Sequence, residues 1–522
     1  MRPVDFLDRA VDVHADRLAL IQGDVRMTFR TLQEESHRFA AALARDKAPR
    51  QSTVAIFSPN HWSVMVVLQG LWRAGCKWIP VNARNAIDAN AEYLAYTGCE
   101  RLFYHSSMDS EVAVIRARNP QLKSIICLDR RCGGDPSLAD YMQGLSASDH
   151  VEQSDCFGNL DEIVGIFATG GTTGASKGAQ VTNLGWGTML ATATNALDSG
   201  EGDKVCLVTA PLTHAAGPVS TVMLSLGATN VVMPGFDAGE VIENIARHHV
   251  THIYLPPTAL YGILDHPAVH TTDLSSLKRV LLAGSPVSPD RLKQAVEVMG
   301  PCLCQSYGQV EAPMILSWLA PDVVTRAARG DHPQRLASCG RPTAHVRLGI
   351  MDEDGRLLGN NEHGEIVARG PLVTREYFNL PEATAAAHAG GWHRTGDVGY
   401  RDDDGYYYIV DRKKDMIVTG GFNVFSAEVE AAIMELPEIL EAAVIGVPDP
   451  KWGEAIKACV VPAAGGSVDP AVVIAHVRAR LGGVKTPKSI DVMDSLPKTA
   501  ANKLDKKMIR ARYWGDRARN VN

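Results

Sequence analysis

The chain has 522 residues, 45% hydrophobic and 21% charged, with 52 basic and 59 acidic side chains giving a formal net charge of -7. A chain this long buries several cores without disulfide or metal staples. Its charge balance argues against a nucleic-acid surface or a polybasic membrane anchor. The 10 cysteines show no CxxC spacing, so neither a structural zinc site nor a disulfide framework is expected, and a cytoplasmic location fits. No apolar run approaches the roughly 18 residues that cross a bilayer, so no stable membrane insertion is expected.

The opening MRPVDFLDRAVDVHADRLAL carries Asp5, Asp8, Asp12 and Asp16 and reads as an amphipathic helix, lacking the basic-then-apolar order of a secretion signal. Short β-rich runs then alternate with helical stretches. Val54–Ser58, Trp78–Val81, Leu102–His105, Ser124–Leu128, Ile163–Ala168, Val205–Thr209, Asn230–Met233, His252–Leu255 and Val280–Ala283 read as strands, and His61–Ala74 as a helix. Buried strands separated by helices imply parallel sheets covered on both faces. So many strands fit two stacked α/β subdomains better than one sheet.

After about residue 340 the texture changes. Val346–Met351, Gly364–Ala368 and Tyr406–Val410, punctuated by Asp-Gly turns, read as a small β-rich subdomain. Helix Ala427–Leu436, strands Glu441–Gly446 and Lys457–Val461, and helix Asp469–Leu481 then form a compact α+β pattern. The fold class is α/β. A large N-terminal domain, 1–410, comprises two stacked α/β subdomains and the β-rich subdomain. A small mobile α+β domain, 411–522, follows.

Five segments carry chemistry. Thr169-Gly170-Gly171-Thr172-Thr173-Gly174-Ala175-Ser176-Lys177-Gly178 follows a strand, and its glycines free backbone N–H groups to close around phosphate oxygens. Lys177 is followed by Gly178, so the GxxxxGK[ST] P-loop pattern is absent. The bland reading is a flexible loop between strand and helix. In Gln305-Ser306-Tyr307-Gly308-Gln309-Val310-Glu311, after a short strand at Leu303, an aromatic beside glycine can stack on a flat ring, and Glu311 can hold a hard cation. Trp392-His393-Arg394-Thr395-Gly396-Asp397 sets an Asp behind a tight turn, where it can accept from a diol or merely cap the turn. Asp411-Arg412-Lys413-Lys414-Asp415 with Gly420-Gly421 reads in isolation as a solvated linker. Leu496-Pro497-Lys498-Thr499-Ala500-Ala501-Asn502-Lys503 reads in isolation as a basic tail.

In this order, with Pro211–Gly217, Gly340-Arg341-Pro342, Gly364-Glu365-Ile366 and Arg369-Gly370-Pro371, these segments resemble the adenylate-forming superfamily over residues 10–510. That superfamily includes acyl-CoA synthetases, peptide-synthetase adenylation domains and beetle luciferases. The resemblance implies that ATP and a carboxylate give an acyl-adenylate, and that a thiol, usually coenzyme A, displaces AMP. It implies that Thr169, Gly170, Gly171, Thr172, Thr173, Gly174 and Lys177 wrap the phosphates. Gly284, Ser285, Gln305, Ser306, Tyr307 and Gly308 hold adenine, with Tyr307 stacking. Glu311 binds Mg²⁺, Asp397 and Arg412 bind ribose, and His214 and Lys503 are catalytic. Lys503 bridges carboxylate and α-phosphate, where a compact cation lowers the repulsion of two anions. Lys414 matches the hinge about which the small domain swings, bringing Gly420 and Gly421 toward the thiol.

Val310 stands where the family usually has Thr, Asn502 where it has Gly, and Glu376 where it has Gly. The acid pocket implied by the resemblance lies near His214–Gly217, Tyr254–Thr258, Ala283–Ser285 and Ala312–Met314, segments of mostly small residues without Arg or Lys. The expected substrate is a bulky hydrophobic acid, fatty or polycyclic, with an aryl acid next. The acceptor is CoA or a carrier protein, and a homodimer is an open option. An amino-acid-activating module is disfavoured because Asp237 reads as a helix N-cap instead of an ammonium ligand. A non-catalytic adenylate sensor is disfavoured by Lys503, Glu311 and Asp397.

Overall fold

A computed structural model describes residues 1–150, 159–169, 176–463, 465–499 and 504–514. Its contacts divide into two compact units, Met1–Leu348 with Ala368–His393, and Gly349–Val367 with Arg394–Asn522.

The first unit contains two large sheets. In the seven-stranded sheet, Ile163–Thr169, Lys77–Val81, Thr53–Phe57, Arg101–Tyr104 and Ser124–Cys127 run parallel. Helices such as Trp62–Arg73 supply the crossovers that parallel pairing needs. Thr53–Phe57 is buried at every position, as a strand covered on both faces requires. Lys177–Thr182 and Glu376–Tyr377 add antiparallel strands at one edge.

The nine-stranded sheet is parallel from Leu303–Gln309 through Arg279–Leu282, His252–Leu255, Val205–Val208 and Thr229–Val232 to Leu18–Gln22. Antiparallel partners close it at both ends. The all-parallel expectation therefore needs correction. Both sheets are mixed: the hairpins Leu18–Gln22/Val25–Thr28, Ile163–Thr169/Lys177–Thr182 and Leu303–Gln309/Ala312–Leu319 have turns too short for a crossover, and Arg341–Pro342 and Glu376–Tyr377 come from further along the chain to pair antiparallel at the edges. The opening helix is also shorter than expected. It spans Pro3–His14, and Leu18–Gln22 is a strand that turns at Gly23, φ +55°, into its antiparallel neighbour.

Phe167 stacks on Trp186 at 5.2 Å, and Trp78 meets both rings edge-on. Trp72 Nε1 donates to Val164 O at 3.1 Å. This aromatic cluster anchors Ile163–Thr169, the strand that enters the glycine-rich segment.

Arg347–Met351, Gly364–Arg369, His393–Arg401 and Tyr407–Arg412 make a four-stranded sheet, most of whose residues belong to the second unit. A second sheet pairs Gly453–Pro462 with Ile439–Asp449, Ile417–Thr419 and Ser489–Val492. Helices Ser426–Ile433 and Pro470–Leu481 contribute Val429, Ile433, Val473 and Val477 to a core with Val444 and Ile456. Ile509 of helix Lys506–Trp514 belongs to a separate cluster with Ile445 and Cys459. Each such fully buried side chain contributes about 1.5–3 kcal/mol. The expected basic tail is thus partly a packed helix.

Candidate active site

The glycine-rich segment joins two antiparallel strands. Thr169 pairs with Lys177, and the following helix starts only at Asn183, with Thr182 as its N-cap. This corrects the strand-to-helix reading: Lys177–Thr182 continues as a strand with Gly178, Ala179 and Val181 buried. Gly170, Gly171, Thr172, Thr173 and Gly174 lie outside the described residues, as do Asn502 and Lys503. Lys177 is half-buried, its Nζ 5.0 Å from the centre of the Tyr377 ring.

Gln305–Gly308 lies within strand Leu303–Gln309, not after it as expected. Pairing continues through Tyr307 with Ser317 and resumes at Gln309 with Ala312, so an antiparallel partner extends the strand beyond the apolar run visible in the sequence. Gly308 is required by close approach: a Cβ there would lie 2.7 Å from Met314 C and 3.0 Å from Ala312 O. Val310 and Glu311 form the two-residue tip of this hairpin.

Gln305 and Ser306 are each 8% exposed, and Gln305 Nε2 and Ser306 Oγ have no partner among the described residues. Burying such atoms costs about 1–3 kcal/mol each unless a ligand answers them, so the strand suits a flat group with a hydrogen-bonding edge. Tyr307 is equally buried. Gly284 has φ +94°, and Ser285 beside it is exposed.

Glu311 Oε1 accepts from Tyr377 Oη at 2.8 Å, and its main-chain O accepts from Thr374 N at 2.7 Å. Burial, then the charge of Glu311, holds the Tyr377 phenol above the ordinary tyrosine range. No cluster of three His, Cys, Asp or Glu able to hold a metal occurs among the described residues. A single carboxylate does fit Mg²⁺, which keeps waters and takes most of its oxygens from a substrate's phosphates.

His214 is exposed in the turn before helix Ala216–Ser225. Asn60, 6% exposed, holds that turn through Nδ2 to Ala210 O at 2.9 Å and through Leu212 N to Oδ1 at 2.7 Å. Gly217 is held close, since a Cβ would sit 2.3 Å from Leu212 O. Ala210, Ala216, Val219, Ser220 and Tyr254 line a small cavity behind it. Asp237 caps its helix, accepting from Glu240 N at 2.9 Å, as expected.

In the second unit Asp397, 2% exposed, pairs with half-exposed Arg412, Nε to Oδ1 at 2.5 Å across adjacent strands. Gly396, φ +72°, donates its N–H to Glu365 Oε1 at 3.1 Å, and Glu365 Oε2 accepts from Arg394 at 3.0 Å. The segment Asp411–Asp415 is not a solvated linker. Asp411 accepts from Ser426 Oγ at 2.8 Å, which also accepts from Lys506 Nζ at 2.7 Å, and Asp415 pairs with Arg510 at 2.8 Å. Burial lowers the Lys414 ammonium from its ordinary value, opposed by Asp415. Gly420, φ +57°, leaves no room for a Cβ, which would meet the Trp452 ring at 2.7 Å, and Gly421 has φ +83°.

Tyr377, Asn60 and Glu365 also hold these segments, by contacts rather than by motif. Glu365 lies in a segment the resemblance had marked. Tyr377 follows the atypical Glu376. No periodicity or spacing marks Asn60.

Antiparallel strands flanking the glycine-rich segment, buried unpartnered polar atoms and a half-buried carboxylate suit a nucleotide-using enzyme. Residues 7–378 match the AMP-binding enzyme family and residues 428–503 the AMP-binding enzyme C-terminal domain. The chain belongs to the AMP-binding enzyme family. It is 35% identical to a medium/long-chain-fatty-acid–CoA ligase of Mycobacterium tuberculosis, over 98% of this chain and 90% of that protein. It is 34% identical to a feruloyl-CoA synthase of an Amycolatopsis species, over 95% of this chain and 96% of that one. The amide bond synthetase McbA of Marinactinospora thermotolerans has a similar structure, with TM-score 0.87, 30% identity, and coverage of 98% of this chain and 100% of that chain.

Proposed function

We propose that this chain, an AMP-forming acid–thiol ligase, activates a bulky hydrophobic monocarboxylic acid, fatty or polycyclic. A carboxylate oxygen attacks the α-phosphorus of ATP and pyrophosphate leaves. The thiol sulfur of CoA then attacks the acyl carbon, its proton is released, and AMP leaves. Mg²⁺, when bound, offsets the charge on the phosphates.

The observation that carries the choice of acid is the lining near His214–Gly217. Ala, Val and Ser side chains predominate beside Cys206, Leu207, Thr209 and Tyr254, with no Arg or Lys among them to answer a second carboxylate. The fatty-acid–CoA ligase relative supports the same choice. An aryl acid is the second reading, favoured by the feruloyl-CoA synthase relative.

Gln305, Ser306 and Tyr307 receive adenine, Lys177 the phosphates, and Asp397 with Arg412 the ribose. Lys503 and His214 act in the first half-reaction. Rotation about Lys414 near the 410/411 boundary exchanges Lys503 for Gly420 and Gly421 before thiol attack. A CoA acceptor is favoured over a carrier protein, and the site of action is the cytoplasm. Among the described residues no helix is long and apolar enough to cross a membrane.

The test is a panel of fatty, polycyclic, aryl and dicarboxylic acids, scored by AMP release and by thioester mass. Highest kcat/KM with a large apolar monoacid and CoA is expected. Preference for a dicarboxylate or an amino acid overturns the reading.

A further inference from the structure

We propose that Tyr377 is a positioning residue that presents Glu311 as a single-oxygen ligand and thereby biases the site toward Mg²⁺ over Ca²⁺. The inference rests on the reading of Glu311 as the metal ligand. It starts from how firmly both side chains are held. Glu376 and Tyr377 pair with Gln180 and Ala179, continuing the sheet from the strand that leaves the glycine-rich segment. Tyr377 N donates to Thr384 Oγ1 at 2.9 Å, and Phe378 N donates to Gly178 O at 2.7 Å. Glu376, unusual for the family, accepts from Gln180 Nε2 at 2.8 Å and adds one more tie along this edge.

The same short segment grips Glu311 twice, by Thr374 N on its main-chain oxygen and by the Tyr377 phenol on Oε1. Tyr377 is 8% exposed, so the ring has little freedom. Glu311 Oε2 has no partner among the described residues. A carboxylate whose one oxygen already accepts an O–H offers a metal its other oxygen. Ca²⁺ takes six to eight oxygens and accepts bidentate carboxylates readily, whereas Mg²⁺ demands a compact octahedron and is served by one oxygen per carboxylate. Occupying Oε1 therefore disfavours the larger ion. The face of the same ring carries Lys177 Nζ at 5.0 Å, so one side chain sets both a cation for the phosphates and the carboxylate for the metal.

The experiment uses the full-length chain and its Tyr377→Phe, Tyr377→His, Glu311→Gln and Tyr377→Phe/Glu311→Gln variants. Calorimetry measures ATP affinity with Mg²⁺ and with Ca²⁺, and melting temperature checks folding. Tyr377→Phe keeps the ring under Lys177 but frees Oε1, so the Mg²⁺/Ca²⁺ affinity ratio falls roughly tenfold, the scale of one hydrogen bond to a charged group. Tyr377→His retains a donor and recovers part of the ratio. Glu311→Gln abolishes the ratio, and adding Tyr377→Phe to it changes nothing further. If Glu311→Gln abolishes the ratio while both Tyr377 variants keep it, the Tyr377 proposal fails and the metal-ligand reading stands. If Glu311→Gln leaves the ratio intact, the metal-ligand reading fails and takes this proposal with it.

Discussion

Around Gln305–Glu311, in the first unit, buried polar atoms stand without partners: Gln305 Nε2, Ser306 Oγ and, nearby, His393 Nδ1. Around Asp411–Asp415, in the second unit, charges answer one another through Ser426, Glu430, Lys506 and Arg510. The first arrangement costs stability in isolation and is retained where a ligand completes it. The second stabilises its own fold and holds a segment in one shape. Asp397 and Arg412 belong to the second kind, although the proposed function gives them a ribose. Their ion pair fixes the carboxylate, and the half exposure of Arg412 leaves its guanidinium accessible.

The largest expected effect lies in neither region. Lys503→Ala lowers adenylate formation by about 10²–10³-fold, the scale of losing one preorganised charge-stabilising group. Thioester formation from supplied acyl-adenylate survives. Pyrophosphate exchange and single-turnover thioester assays measure the two halves. Equal loss of both would contradict a rotation that withdraws Lys503 before thiol attack.

Next comes the self-satisfied cluster. Lys506 is 13% exposed and pairs with Glu430 at 2.7 Å while donating to Ser426. Lys506→Met leaves Glu430 and Asp411 with uncompensated charge and should cost about 3 kcal/mol of stability, the lower end for a broken buried pair. Denaturant unfolding checks this. The contrast is sharp if Gln305→Leu, in the other region, leaves stability nearly unchanged while weakening ATP binding. Equal destabilisation by both would erase the distinction between the regions.

A smaller effect follows from His393 and His252. Burial holds both imidazoles down to about 4, against about 6.5 when unfolded. They are neutral in the fold and take up protons on unfolding between these values. Their contribution is therefore present above about pH 6.5 and is lost as pH falls toward 4. Melting temperature should decline over that window, and His393→Gln should flatten the decline. An unchanged slope in that variant would mean that His393 is already protonated in the native chain.

Much of the parallel core was legible in the sequence. Thr53–Phe57, Val205–Val208 and His252–Leu255 are apolar runs flanked by helices, and burial on both faces leaves that signature. The edges were not legible. Leu18–Gln22 looked like the end of an amphipathic helix, and its pairing with Val25–Thr28 and Thr229–Val232 makes it a strand. The charged segment Asp411–Asp415 looked solvated because its partners lie up to 95 residues away, as Arg510 does. Long-range ion pairs leave no local pattern. Tyr377 escaped for the same reason, since its role depends on a contact with Glu311 66 residues earlier.

The smallest expected effect concerns Val310, beside Glu311 at the hairpin tip and half-buried. The family usually has a hydroxyl there. If that hydroxyl faces a phosphate oxygen, Val310→Thr adds one hydrogen bond that strengthens in the transition state and raises kcat for adenylation about two- to fivefold. If the side chain instead lies against the acid, Thr sets a polar atom against apolar substrate. KM then rises for a large acid and little for a small one. Tyr377 favours the first outcome, because its bond to Glu311 ties the hairpin tip to the strand carrying Lys177. The measurement is kcat and KM for one large and one small acid in both proteins. A raised kcat for both acids places residue 310 on the phosphate side. A KM change confined to the large acid places it in the pocket, and constancy of all four pairs would show that it touches neither ligand.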